Sequence, residues 1–172
     1  MESPRVLVAG IGNIFLGDDA FGVEVARRLA MREWPGGVRV VDFGIRGFDL
    51  AFAMLDDPDV VIFVDATRRG GPPGTLYVLE TEAGAGPAFA DTPGLMNAHG
   101  MDPAEVLRLV KALGGRVRRL LVVGCEPDGL GAEPEMELGL SDPVRASVDE
   151  AVSLVESLVG RILRGEPVTC AG

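Results

Sequence analysis

This chain of 172 residues has few cysteines, fewer basic than acidic residues and no long apolar run. Each of these scarcities excludes some classes of protein. The two cysteines, Cys125 and Cys170, form no CxxC pair, so we expect neither a zinc ribbon nor a disulfide framework. Basic residues number 16 against 26 acidic ones, and the net charge of −10 argues against nucleic acid and anionic membranes as partners. No apolar run reaches the length of a membrane span, and residues 1–5 carry no signal-peptide pattern. We therefore expect a cytoplasmic protein.

Short β-branched runs alternate with helical segments along the chain. Four runs end at glycine or a polar residue and are typical of central strands in a mostly parallel sheet: 6–9, 38–43, 60–64 and 120–123. A weaker run at 76–80 predicts an edge strand, and the segment 81–96, rich in glycine, alanine and proline, predicts a long loop. Helical patterns cover four further segments: 20–32, 48–55, 103–113 and 141–164.

This alternation predicts an α/β fold, a three-layer α/β/α sandwich around a mostly parallel, twisted sheet of about five strands. The pattern shows no internal repeat and no second domain. We expect one domain over residues 1–172, with its core at 5–164 and a loose C-terminal tail.

Acidic residues and the single histidine fall where a parallel sheet would bring them together. Asp19 follows the first strand and its loop, Asp65 ends the third strand, and His99 precedes a predicted helix. The carboxyl ends of parallel strands share one edge, so we expect these three side chains to meet there. Carboxylate and imidazole ligands without a thiolate suit zinc, nickel or a similar ion. Three protein ligands would leave a position open for water or substrate.

Simpler roles stay open for the same residues. Asp18 and Asp19 stand at the start of a predicted helix, where an aspartate is usually a cap. Asp65 follows five apolar residues and should be partly buried, but its carboxylate could bond only a neighbouring loop. A lone histidine such as His99 is more often structural or exposed than a metal ligand.

Two other chemistries have weaker support. Residues 10–13 resemble the opening of a dinucleotide-binding fingerprint, and Asp42 could mimic its ribose partner, but Phe15 stands where the third glycine belongs. Cys125 ends a strand near the same edge and could act as a nucleophile with His99, although a buried cysteine is more often structural. The sequence has no GxSxG motif, which disfavours a serine hydrolase.

Residues 10–22, GIGNIFLGDDAFG, resemble the signature of the hydrogenase maturation endopeptidases, roughly G-x-G-N-x-L-x-x-D-[DE]-x-x-G. The family's later landmarks follow in order at residues 42–47, 64–66, 73–75, His99, 124–127 and 139–141. The resemblance therefore extends over nearly the whole chain, from Val6 to Leu163.

This resemblance implies a twisted sheet between helices and a processing endopeptidase. Such an enzyme removes a short C-terminal extension from the large-subunit precursor of a nickel-iron hydrogenase after nickel has been inserted. Asp19, Asp65 and His99 occupy the positions of the residues that are regarded as recognising the metal. Asp19 is a glutamate in some members, and residues 45–46 replace a small polar residue of many members.

We hypothesise that Asp19, Asp65 and His99 bind nickel that the precursor itself supplies, and that they form the catalytic site. The metal would polarise the scissile carbonyl or activate a water. Zinc or cadmium is also expected to occupy the site in vitro. The sequence leaves open whether these residues catalyse cleavage or only recognise nickel. The main alternative is a nickel-binding maturation chaperone without peptidase activity.

Overall fold

The computed structural model describes residues 3–82, 102–129 and 136–168. In these ranges five strands form one sheet: β1 (Val6–Ile11), β2 (Val38–Gly44), β3 (Val60–Ala66), β4 (Leu76–Glu82) and β5 (Arg119–Cys125). The strand order is β2-β1-β3-β5-β4. Strands β1, β2, β3 and β5 are parallel, and β4 is an antiparallel edge strand beside β5. The predicted mostly parallel sheet and its edge strand at β4 are confirmed. The prediction of a central strand at 38–43 is wrong, because β2 pairs only with β1 and forms the other edge of the sheet.

Four α-helices lie on the two faces of the sheet: α1 (Phe21–Ala30), α2 (Gly47–Leu55), α3 (Pro103–Ala112) and α4 (Asp142–Leu163). Successive strand residues point to opposite faces, so Val6 and Val8 pack in one apolar core with α1 and α4. Leu7 and Ala9 pack in the other core with α2 and α3. These two cores make the predicted three-layer sandwich.

Several element ends agree closely with the sequence patterns. Helix α3 begins at Pro103, the start of the predicted helix, and the Asp102 carboxylate caps it by accepting a hydrogen bond from the Ala104 amide at 2.8 Å. The loop predicted from Thr81 begins later, because Thr81 and Glu82 pair with β5 and continue β4. The rest of that predicted loop, up to residue 96, lies outside the described residues.

The register of the sheet places the carboxyl ends of β1, β3 and β5 at one edge. Gly10 of β1 pairs with Val64 of β3, and the next residue of β3, Asp65, pairs with Gly124 of β5. A 3-10 turn, Gly17–Ala20, connects β1 to α1 and contacts the end of β3. This carboxyl edge of the sheet therefore carries both Asp19, in the turn, and Asp65.

Candidate functional site

The segment between β1 and α1 holds Asp19 in a defined position. It is built of short turns, in which the Asn13 side chain accepts a hydrogen bond from the Phe15 amide at 3.0 Å. The Leu16 carbonyl accepts one from the Asp19 amide at 3.1 Å. The Asp19 carboxylate in turn accepts a hydrogen bond from the Asn13 amide at 2.7 Å through Oδ2, and the residue is only 4% exposed. A buried carboxylate with one oxygen held by a backbone amide has a restricted orientation, as a metal ligand requires.

Asp65 ends its strand almost fully buried, at 1% exposure. Its neighbours Val64 and Ala66 pack in the core that contains α1 and α4. Because side chains alternate along a strand, Asp65 points to the opposite face, toward the side of α2 and α3. His99, the third residue of the predicted cluster, lies outside the described residues, so the three-residue metal cluster stays a prediction.

Asp18 does not cap a helix, so the simple cap interpretation is wrong for this residue. Neither the 3-10 turn nor α1 has a side-chain cap. The Asp18 carboxylate instead accepts hydrogen bonds from the Asp128 amide at 2.8 Å, the Ser141 amide at 2.7 Å and the Ser141 hydroxyl at 2.8 Å. These donors follow β5 and precede α4, so Asp18 ties the segment that carries Asp19 to two remote parts of the chain.

The glycines of the first motif are packing positions. A Cβ atom on Gly22 would lie 1.9 Å from the Val64 carbonyl oxygen, and one on Gly10 would lie 2.3 Å from the Ala26 Cβ. Gly12 has a φ of +142°, and a Cβ there would lie 1.7 Å from the Asp19 carbonyl oxygen. The motif thus lets α1 lie directly against β1 and β3.

The same contacts disfavour nucleotide binding. The space beside Gly10 and Gly12 is filled by protein atoms, whereas a dinucleotide site needs glycines that leave room for a pyrophosphate. The proposed ribose partner, Asp42, is engaged by Arg27 of α1 in an ion pair of 3.0 Å. The resemblance of residues 10–13 to a dinucleotide fingerprint therefore reflects close packing of strand and helix.

Comparison with known proteins identifies this architecture. The hydrogenase maturation protease family profile matches residues 23–158. The chain belongs to this family. The hydrogenase 2 maturation protease of Escherichia coli is 30% identical over 156 residues, which cover 88% of each sequence.

Solved structures agree with the family assignment. The hydrogenase maturating endopeptidase HybD from E. coli superposes with a TM-score of 0.74 at 31% identity, covering 91% of this chain and 93% of that one. The [NiFe] hydrogenase maturation protease HycI from Thermococcus kodakarensis KOD1 gives a TM-score of 0.61 at 28% identity, covering 94% of each chain. The protein is therefore a processing endopeptidase of hydrogenase maturation, and nothing in these comparisons supports the chaperone alternative.

A further buried carboxylate of the protease belongs to Glu126, which lies just beyond β5. It accepts hydrogen bonds from the Arg69 amide at 2.8 Å, the Gly70 amide at 3.2 Å and the Tyr77 hydroxyl at 2.9 Å. Burial alone would raise the pKa of this carboxyl, but the hydrogen bonds from Arg69, Tyr77, Gly70 and Gly71 outweigh burial and lower it. Glu126 therefore anchors the loop between β3 and β4 to the end of β5.

Cys125 is a core residue of the protease, which disfavours the cysteine-peptidase alternative. Its side chain is fully buried in the core shared with α1 and α4, and its Sγ lies 3.3 Å from the Ser147 hydroxyl. Burial raises the pKa of the thiol to about 11, with the negative charges of Asp18 and Glu126 acting in the same direction and the Ser147 hydroxyl opposing them. A protonated, enclosed thiol is a poor nucleophile at neutral pH.

We expect Cys125→Ala to leave precursor processing unchanged, and Cys125 itself to resist alkylation by iodoacetamide at pH 8. Because the folded pKa lies above that of an unfolded thiol, about 8.5, the stability contributed by the protonated thiol is complete below that pH. It is then lost as the pH rises toward about 11. Mass spectrometry of the Cys125 peptide, from folded and from urea-unfolded protein, measures the alkylation. Rapid labelling of the folded protein, together with inactive Cys125→Ala, would restore the cysteine mechanism.

No helix in the described parts of the protease, 3–82, 102–129 and 136–168, has the length and hydropathy to span a membrane.

Proposed function

We propose that this protease removes the C-terminal extension of a nickel-iron hydrogenase large-subunit precursor after nickel has been inserted, and that it does so in the cytoplasm. Asp19, Asp65 and His99 bind the nickel ion carried by the precursor. In this proposal nickel is part of the substrate, and its presence is the condition for cleavage. A free thiol at Cys125 and the lack of a CxxC pair are compatible with a reducing compartment.

The main support is the burial of two carboxylates at one edge of the sheet. Asp19 and Asp65 are 4% and 1% exposed, and the turn that carries Asp19 contacts the end of the strand that carries Asp65. Two buried negative charges near each other repel, and a divalent cation that both coordinate relieves the repulsion. Carboxylate oxygens and an imidazole nitrogen form a donor set that nickel and zinc accept.

Asp19, Asp65 and His99 would each supply one ligand to the metal. Asp19 would supply one carboxylate, whose orientation is fixed by the hydrogen bond that its Oδ2 accepts from the Asn13 amide. Asp65 supplies a second carboxylate from the rigid end of a central strand, and His99 would supply the imidazole. Nickel bound there would polarise the scissile carbonyl or lower the pKa of a water molecule. Cleavage would then need neither a serine nor a cysteine nucleophile.

The experiment is mass spectrometry of the precursor in nickel-loaded and nickel-free forms, each incubated with the protease and with its His99→Ala variant. We expect a C-terminal peptide to be lost only from the nickel-loaded precursor, and the loss to be much slower with His99→Ala. Equal cleavage of both precursor forms would overturn the dependence on nickel. Full processing by His99→Ala would remove the histidine from the site, and an unchanged precursor mass would overturn the proposed reaction.

A further inference from the structure

Large apolar side chains are exposed at one edge of this protein far more than at the other. Within residues 3–82, 102–129 and 136–168, eight large hydrophobic side chains are at least half exposed. Six of them lie at the carboxyl edge of the sheet, or one helical turn from it, and form what we call the apolar rim: Phe15, Ile45, Phe48, Phe52, Met136 and Leu138. The other two, Met31 and Leu113, directly follow the ends of α1 and α3 at the opposite edge.

Backbone hydrogen bonds join the three segments of the apolar rim around the segment that carries Asp19. The Gly12 amide donates to the Gly44 carbonyl at 3.0 Å, which links the segment of Phe15 to that of Ile45. The Phe15 carbonyl accepts from the Glu137 amide at 3.0 Å, which links it to Met136 and Leu138. The segment that carries Asp19 and Phe15 is therefore bonded directly to both of the other rim segments.

The side chains of the rim resemble those of protein interfaces. Phe48 and Phe52 are 72% and 61% exposed and, four residues apart on α2, project from the same side of that helix. Phenylalanine and methionine are enriched where proteins bind one another, and contiguous apolar patches on soluble domains mark such surfaces. The opposite edge is instead lined by exposed ion pairs, including those of Arg118 with Asp57 and Asp59.

We propose that the apolar rim is the surface on which the hydrogenase large-subunit precursor docks, through an apolar face that adjoins its C-terminal end. This inference rests on the proposed function, which requires the scissile bond to reach Asp19. A folded precursor that presents its C-terminal end to Asp19 must come close to the segments that are bonded to that of Asp19, and these are the segments of the rim. Docking through the rim gives affinity and position, while the buried carboxylates bind the metal.

The test compares two double variants with matched chemistry and exposure. Phe48→Ser with Phe52→Ser removes two rim side chains, and Met31→Ser with Leu113→Ser removes the two exposed apolar side chains of the opposite edge, which are 80% and 51% exposed. Binding of the nickel-loaded cognate precursor is measured by calorimetry, and its processing by kcat and KM. We expect the rim variant to bind the precursor at least about tenfold more weakly, with a raised KM and little change in kcat. The reason is that the two substitutions remove contacts that bind the precursor and leave the cleavage site unchanged. We expect the control variant to behave as the unchanged chain.

Each other outcome overturns one proposal. Equal binding and processing by the rim variant, or no binding of the precursor by the unchanged chain, overturns docking on the rim. Tight binding that depends on Phe48 and Phe52 without any cleavage overturns the proposed reaction and leaves the docking surface in place. Light scattering tests whether the rim instead binds a second copy of this chain. A dimer of the unchanged chain that becomes a monomer in the rim variant would overturn the proposal.

Discussion

Asp19→Asn is expected to leave the protease folded and to lower the rate of precursor processing by at least about a hundredfold. The amide side chain keeps an oxygen that can accept the 2.7 Å hydrogen bond from the Asn13 amide, so the local turns should persist. It removes the negative charge that the proposed metal site requires, and loss of a ligand should cost more than the roughly 10- to 100-fold typical of residues that merely support a ligand. Single-turnover processing of the nickel-loaded precursor, followed by mass spectrometry, measures the change.

Asp56→Asn is the matched control for Asp19→Asn. Asp56 is an exposed aspartate beyond the end of α2, at the opposite edge, where it pairs with Arg39 at 2.9 Å. The Asp56→Asn variant should process the precursor at the rate of the unchanged chain. The melting temperatures of the unchanged chain and of the two variants should agree within a few degrees. Near-normal processing by folded Asp19→Asn would show that the charge of this residue serves neither metal binding nor catalysis.

Gly22→Ala is expected to lower the free energy of unfolding by about 3 kcal/mol or more, the upper range for a forced overlap in a packed core. The added Cβ would lie 1.9 Å from the Val64 carbonyl oxygen and 2.4 Å from the Ile11 carbonyl oxygen. Both are backbone atoms of central strands and cannot swing aside as a side chain can. Helix α1 would have to move off the sheet, and urea denaturation followed by circular dichroism measures the loss.

Gly160→Ala makes the same substitution in α4, but we expect it to raise the free energy of unfolding. The nearest atom to its added Cβ is Arg164 Nη1 at 3.2 Å, the end of a flexible side chain. Alanine in a helix interior should raise stability by about 0.5–1 kcal/mol. If Gly22→Ala were as stable as Gly160→Ala, the glycine would not be needed for the close approach of α1, and the packing role of the motif would be refuted.

The strands and helices were largely predictable because their signal is local. Near-continuous apolar runs indicate strands, and all four formed where these runs occur. Three of them, β1, β3 and β5, are central and buried on both faces, whereas β2 lies at an edge of the sheet. The boundaries were less predictable. Strand β3 continues through Asp65 and β4 through Glu82, because backbone pairing with β5 extends past the last apolar side chain. Pairing between remote segments leaves no mark in the hydropathy of either one.

The edge that carries Asp19 and Asp65 could also be predicted, since parallel strands bring their carboxyl ends together. The hydrogen-bond partners of Asp18 and Asp19 could not be predicted, because the two residues are adjacent and chemically identical. Asp18 accepts hydrogen bonds from amides that lie 110 and 123 residues away in the chain, whereas Asp19 accepts one from an amide six residues away. The role of Glu126 was equally hidden, because its donors belong to a loop more than fifty residues earlier in the chain.

The sequence by itself determined the α/β class, the parallel core and the family to which this protease belongs, since all three follow from residue patterns that are short or fixed in order. Only the tertiary structure decided which carboxylates anchor loops, that Cys125 is enclosed in the core, and that Phe48 and Phe52 stay exposed. The physical reason is that burial and hydrogen-bond partners are properties of contacts between segments distant in sequence. A phenylalanine has the same apolar side chain in a core and on a binding surface, and only the packing around it distinguishes the two.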